Sequence, residues 1–213
     1  MRKGTPEQVA LKREEIVDAC EQLYQTMSFR EITLKEIGSI TSFSRPTIYN
    51  YFETKEEIFL ALFKREYDRW NEALTAILEG NGWLTKAQLA DRIAQSLADR
   101  EQLLKILSMN NFDMEANSRQ EMLTSFKYSY GRSMKLMCML LEKNCPDMSA
   151  ADIQNFIYTF YPFMFGIYPY TAVTEKQKTA MSEAGIDFMY QTVYELTYEC
   201  LISLLGEQKT DKE

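Results

Sequence analysis

The chain has 213 residues, 46% hydrophobic and 26% charged, enough for one large domain or two small ones with a sizeable core. No stretch approaches 18 uninterrupted apolar residues and the charged start has no apolar run behind it, so neither a membrane span nor a signal peptide is expected and the expected compartment is the cytoplasm. The net charge is −7 and there is no histidine, which removes the commonest general base.

The first helix is expected after Pro6, with an apolar row at Val9, Ile16, Cys20, Leu23 and Met27. Thr33 with Glu36 three residues on reads as a capping box for a short helix, and Ser44 caps another. Thr54 with Glu57 opens a long helix to about Leu78, carrying Phe59, Phe63, Tyr67, Trp70 and Leu74. "EGNGW" at 79–83 ends it, and helices follow near 85–98, 100–112 and 118–144. "NCPDMSAAD" is a break, after which Ser149 and Asp152 cap a helix to about 172. A last helix is expected over 175–205, with Ile186, Met189, Val193, Leu196, Cys200 and Leu204 as one row and Tyr190, Tyr194, Thr197 and Leu201 as a second. No run alternates with period two, so the fold class is all-α.

Catalytic and metal signals are missing from this pattern. There is no GxSxG, no P-loop and no GxGxxG. Cys20, Cys138, Cys145 and Cys200 form no CxxC pair and read as reduced, buried thiols. The expectation is no enzyme, no cofactor and no metal.

"SFSRPTIYNYF" at 42–52 is the stretch with a specific job. Together with "TLKEIGSI" it makes two short helices joined by a tight turn, the form that places a thin second helix in the major groove of DNA. Arg45 and Thr47 stand in the first turn, where base edges are read, and Pro46 is tolerated there because first-turn amides lack helix partners. Tyr49 and Tyr51 carry hydroxyls for phosphate oxygens. Ile48 and Phe52 are expected to face inward, toward Ile37, Ile40 and Leu23. Lys55 opposes the dipole of the next helix, and a phosphate would justify it. Two readings compete: a solvated helical hairpin whose tyrosines only pack, and an all-helical protein-interaction module without DNA binding.

Residues 10–63 resemble the DNA-binding domain of the TetR family of transcriptional regulators. The resemblance rests on "FREITLKEI" and, above all, on "TIYNYFETKEEIF", with its spacing of Thr47, Tyr49, Tyr51, Phe52 and Lys55. It implies a helix-turn-helix domain over 1–53 and a helical effector-binding and dimerisation domain over 54–213, with 54–79 as connecting helix. It carries a DNA-contact role onto Thr33, Ser44, Arg45, Pro46, Thr47, Tyr49, Asn50, Tyr51 and Lys55. The function it implies is a homodimeric repressor, released from a palindromic double-stranded operator by a small apolar or aromatic effector. Two positions depart from the family pattern: Ser42, expected to need a left-handed backbone that glycine would adopt more easily, and Pro46, where glycine is common.

An acidic chain can still bind DNA if its charge is uneven. Residues 1–52 are neutral, with Arg or Lys at 2, 3, 12, 13, 30, 35 and 45 and Asp or Glu at 7, 14, 15, 18, 21, 31 and 36, so the whole −7 lies beyond them. Arg2 and Lys3 are expected to add a basic arm. In the second region, eight aromatics crowd the fifteen residues from Phe156 to Tyr170, which predicts a helix buried on all sides, by the core, a dimer face or a pocket lining. The effector pocket is expected beside Tyr67, Trp70 and Leu74, closed by Met109, Phe112, Phe126, Tyr130, Phe160, Met164 and Tyr168, with Asn110, Asn111, Asp113, Glu115 and Asn117 as nearby polar groups.

Overall fold

A computed structural model describes residues 5–80, 82–109 and 111–206, with the backbone alone at Asn111. Arg2, Lys3 and Asn110 lie outside the described residues, as does the Asn111 side chain. Every regular element among the described residues is a helix.

Caps written in the sequence start most of them. α1 (Pro6–Tyr24) opens on a closed box, the Thr5 hydroxyl accepting from the Gln8 amide and the Gln8 side chain from the Thr5 amide. α2 (Leu34–Ser39) starts at Thr33, whose hydroxyl accepts from the Lys35 amide and donates to the Glu36 carboxylate. α3 (Arg45–Ile48) is a single turn that tightens into i→i−3 bonds, Asn50 N to Thr47 O at 3.1 Å and Tyr51 N to Ile48 O at 2.9 Å. α4 is Lys55–Glu79, α5 Lys86–Ala98, α6 Glu101–Leu107, α7 Asn111–Ala116 and α8 Gln120–Asn144. α9 (Ala150–Thr171) closes the expected Ser149–Asp152 box.

The single helix expected over 175–205 is two helices, α10 (Glu175–Glu183) and α11 (Val193–Leu205). Gly185, at φ 68°, ends α10 in a Schellman motif: Ile186 N bonds Met181 O and Gly185 N bonds Ser182 O. Thr192 and Glu195 then form a new capping box. The apolar spacing carried on through the break and concealed these signals. The helix expected over 100–112 is likewise divided between α6 and α7.

The chain forms two compact units. One holds the described residues up to Arg65 together with 111–129; the other holds 66–109 and the described residues from Tyr130 onward. The division cuts α4 after Arg65 and α8 after Ser129. It therefore does not follow the chain-order boundary expected after residue 53.

In the first unit α2 packs on α1 and α3. Ile16, Cys20, Ile32, Ile37, Ile48, Phe52 and Phe59 are fully buried, and the Tyr24 and Phe29 rings meet Phe59 edge-on at 5.1 and 4.7 Å. Ile40 does not join them; it is exposed, and Leu23 is half-buried. In the second unit α11 packs on α5 and α9, and α6 on α9. The helix α9 is not buried all round: Tyr158 is 67% and Phe165 39% exposed, on the same side as Pro162 and Pro169. Of the four free cysteines, Cys20 and Cys145 are buried but Cys138 and Cys200 are half-buried.

Candidate nucleic-acid interface

The recognition turn, α3 with the turn that follows it to Phe52, has its inner face anchored at both ends. Ile48 and Phe52, four apart, are fully buried. At Gly38 the chain packs closely but without excluding a side chain: a Cβ there would lie at contact distance, 3.4 Å from the Phe43 carbonyl oxygen and 3.6 Å from Ile48 Cδ1. Ser42 does not adopt the expected left-handed backbone, since no described non-glycine residue has positive φ. Glu15 holds the turn instead, its Oε1 accepting from the Ser42 amide at 2.9 Å and the Ser42 hydroxyl at 2.7 Å. Those two bonds hold the Glu15 carboxyl below its usual range.

With the inner face fixed, the outer face is left to solvent. Thr33, Ser44, Arg45, Pro46, Tyr49 and Asn50 are exposed, and Thr47, Tyr51 and Lys55 are half-buried. All nine lie in the first unit. Arg45 folds back along α3, donating to the Tyr49 hydroxyl at 3.2 Å with its guanidinium 5.8 Å from the ring centroid. The Ser44 and Thr47 hydroxyls bond each other at 2.9 Å, so Ser44 caps the turn by backbone geometry and not by its side chain. Tyr51 lies beside Phe43, ring centroids 6.3 Å apart.

Lys55 is already engaged. Its Nζ donates to the Phe29 carbonyl at 2.8 Å and the Ile32 carbonyl at 3.2 Å, and lies 4.1 Å from the Phe29 ring centroid. The dipole argument made from sequence is thus answered inside the unit, by two carbonyls. An ammonium carries three protons, so one remains for a phosphate. Thr33, Arg45, Tyr49 and Lys55 share the wall of an open groove of about 490 Å³ with Leu34, Lys35, Glu53 and Thr54. Lys35, absent from the expected contacts, is exposed there and basic.

The residue that sequence reasoning missed is Arg119. Glu57 is fully buried; its amide donates to the Thr54 hydroxyl at 3.1 Å, as the expected cap requires, and its carboxylate gathers four bonds of its own. It accepts from the Glu53 amide at 2.8 Å, the Arg119 amide at 3.0 Å, Arg119 Nε at 2.7 Å and Arg119 Nη2 at 2.9 Å. Arg119 Nη2 also reaches the Tyr51 carbonyl at 3.3 Å, at the end of the recognition turn. Beside it, the Arg13 guanidinium lies 4.7 Å from the Phe52 ring centroid and donates to Met122 Sδ at 2.8 Å. Burial, then the nearby Arg119 charge, lowers the Arg13 pKa. The Phe63 and Phe126 rings stack at 4.6 Å. Together these contacts fasten the start of α8 to the helix-turn-helix. No local motif announces a pair 62 residues apart; the only sign was a buried-register Glu57 with no nearby cation.

The expected effector residues divide between the units. Tyr67, Trp70, Leu74, Phe160 and Met164 are buried in the second unit, and Met109, Tyr130 and Tyr168 are half-buried there. The Tyr67 ring meets Tyr130 edge-on at 5.5 Å, and Tyr130 meets Tyr161 at 5.7 Å. Tyr161 donates to the Ser133 hydroxyl at 2.9 Å and Trp70 Nε1 to the Ser96 hydroxyl at 3.1 Å. Burial raises the phenol pKa of Tyr67 and Tyr161 far above the usual range. Phe126 and Phe112 belong to the first unit: Phe126 stacks on Phe63, and Phe112 is 88% exposed. Among the described residues no group of three or more carboxylates and thiols could hold a metal ion.

A model of tetR-family bacterial regulatory proteins matches residues 16–62, and a model of the tetracyclin repressor-like C-terminal domain matches 64–204. The chain belongs to the TetR family. It is a DNA-binding transcriptional regulator. Solved TetR-family structures share its fold across nearly the whole length. A regulator from Streptomyces coelicolor is 15% identical, with TM-score 0.61 over 95% of this chain and 80% of that one. The transcriptional regulator FadR from Bacillus subtilis, in complex with stearoyl-CoA, is 14% identical, with TM-score 0.59 over 91% and 97%. The Thermus thermophilus FadR repressor, in complex with lauroyl-CoA, is 18% identical, with TM-score 0.57 over 94% and 96%. No curated protein matches the sequence significantly. Among the described residues no helix is long and apolar enough to cross a membrane.

Proposed function

We propose that this TetR-family protein is a cytoplasmic homodimeric repressor that binds a palindromic operator and leaves it when a small, largely apolar or aromatic ligand binds the second unit. The observation that carries the DNA reading is the division of the recognition turn: Ile48 and Phe52 are fully buried while Arg45, Tyr49 and Asn50 face solvent. A solvated hairpin whose tyrosines only packed would not leave Tyr49 in water.

Selection of binding sites from random DNA tests this and yields the half-site spacing, about one helical turn for a two-fold dimer. Arg45→Ala should weaken the selected site by about 1–3 kcal/mol and relax preference at one base pair. Lys55→Ala should weaken all sequences alike and reduce the salt slope by about one unit. Because Lys55 also binds two carbonyls, its thermal melt must be taken alongside. Arg45, exposed, gives the cleaner result: an Arg45→Ala protein that binds every sequence as well as wild type removes it from base reading.

The dimer reading rests on exposed apolar rows on two helices. Tyr158, Pro162, Phe165 and Pro169 fall at three-four spacing along the open side of α9. On α11 the buried row is Thr197, Leu201, Ile202 and Leu205, while Val193, Leu196, Cys200 and Leu204 stay half-exposed. Two such helices from each copy suit a two-fold four-helix interface. Phe165→Asp should give a monomer at micromolar concentration by sedimentation, and a persistent dimer would move the interface elsewhere.

The second unit's apolar and aromatic interior supports an apolar ligand, as do the acyl chains held by the two FadR structures. α4 and α8 run covalently from one unit into the other, and α4 alone spans roughly 37 Å at 1.5 Å per residue, so ligand-induced shifts have two stiff routes to the helix-turn-helix.

A further inference from the structure

The segment between α9 and α11 is ordered without being buried. α10 has nine residues and none is buried. An isolated helix that short is marginal in water. Its capping box at Thr174 and the Schellman turn at Gly185 hold its ends. From Ile186 to Thr192 the chain is neither helix nor strand, yet it presents Ile186, 55% exposed, and Met189, 78% exposed, with Tyr190 beside them. Phe188 fixes this stretch by stacking on Tyr170, ring centroids 6.3 Å apart, and by meeting Tyr190 edge-on at 5.1 Å. Lys178 of α10 closes over Tyr190 at 5.6 Å. The aromatic contacts position the strap, and the apolar side chains it carries face outward.

We propose that residues 184–192 form a strap that lies across the second copy of this chain at the rim of the dimer face. The inference rests on the dimer reading above. The segment follows α10 and enters α11 at Val193, and its Phe188 stacks on Tyr170 near the end of α9, so it lies beside both helices that carry that face. Its apolar residues thus continue the exposed rows of α9 and α11 and belong beside a partner docked there. A cluster of exposed isoleucine, methionine and tyrosine held in place by stacking is a docking feature, because a free loop gains nothing from holding apolar groups in water.

Benzoylphenylalanine in place of Met189, in the full-length protein, tests the strap directly. Irradiation should give a covalent dimer on a denaturing gel. Ile186→Asp with Met189→Asp should weaken dimerisation at least tenfold in sedimentation equilibrium while the far-ultraviolet circular dichroism stays that of wild type. A protein that sediments as a dimer but yields no covalent dimer, or whose double variant dimerises as tightly as wild type, overturns the strap and leaves the helical face standing. A wild-type protein that sediments as a monomer overturns both.

Discussion

Arg119→Leu should destabilise the helix-turn-helix unit by about 3–5 kcal/mol, because it strands a buried carboxylate. Glu57 is fully buried, and Arg119 supplies three of its four hydrogen bonds, one of them from its amide. The substitution removes the two side-chain bonds and the bond to the Tyr51 carbonyl. DNA affinity should fall with stability, since that carbonyl ends the recognition turn. Adding Glu57→Gln to Arg119→Leu should recover part of the loss, as an amide costs less to bury than an unpaired charge. Thermal melts of the single and double variants, with gel shifts on the selected operator, decide it. A single variant as stable as wild type would show that solvent can replace Arg119.

The same pair predicts a pH dependence. Burial raises the Glu57 pKa, but the Arg119 side chain, the Glu53 and Arg119 amides and the Arg119 charge outweigh it, and the carboxyl sits below its ordinary value. A depressed pKa stabilises the fold fully above the unfolded value near about 4.3, and the contribution disappears as pH falls through the lower folded value. Wild type should therefore lose stability below about pH 4 faster than Arg119→Leu does. Denaturant midpoints between about pH 7 and 3 measure this, and parallel curves would contradict it.

Trp70→Ala should cost about 3–5 kcal/mol through the cavity it leaves. Trp70 is fully buried, donates to Ser96 and lies 6.1 Å from the Tyr161 ring. Trp70→Phe keeps most of the volume and should cost far less, chiefly the bond to Ser96. Fluorescence separates this site from the other tryptophan, Trp83, which is exposed. The blue-shifted emission of a buried indole should vanish in both variants, while only Trp70→Ala should lower the melting temperature by roughly 10 °C. An unchanged melt would mean that the aromatic cluster collapses around the loss.

Wherever bonds are local, the residues themselves determined the structure. A cap joins residues three apart, so Thr33 and Ser149 announced their helices, and Ile48 and Phe52 announced the buried side of the recognition turn. The Gly185 stop and the Thr192–Glu195 box were equally local, but Ile186 and Met189 continued the helical spacing through them. The sequence of 42–55 likewise determined which family the chain belongs to, because a helix-turn-helix is read from residue types at fixed short spacing. Only tertiary structure decided that Glu57 belongs to Arg119, that Lys55 is held by two carbonyls, and that α9 keeps one aromatic side open. Those outcomes depend on which distant segments meet. Hydrophobic burial is proportional to area and carries no direction, so it gives no sign in the sequence of which face a neighbour will cover.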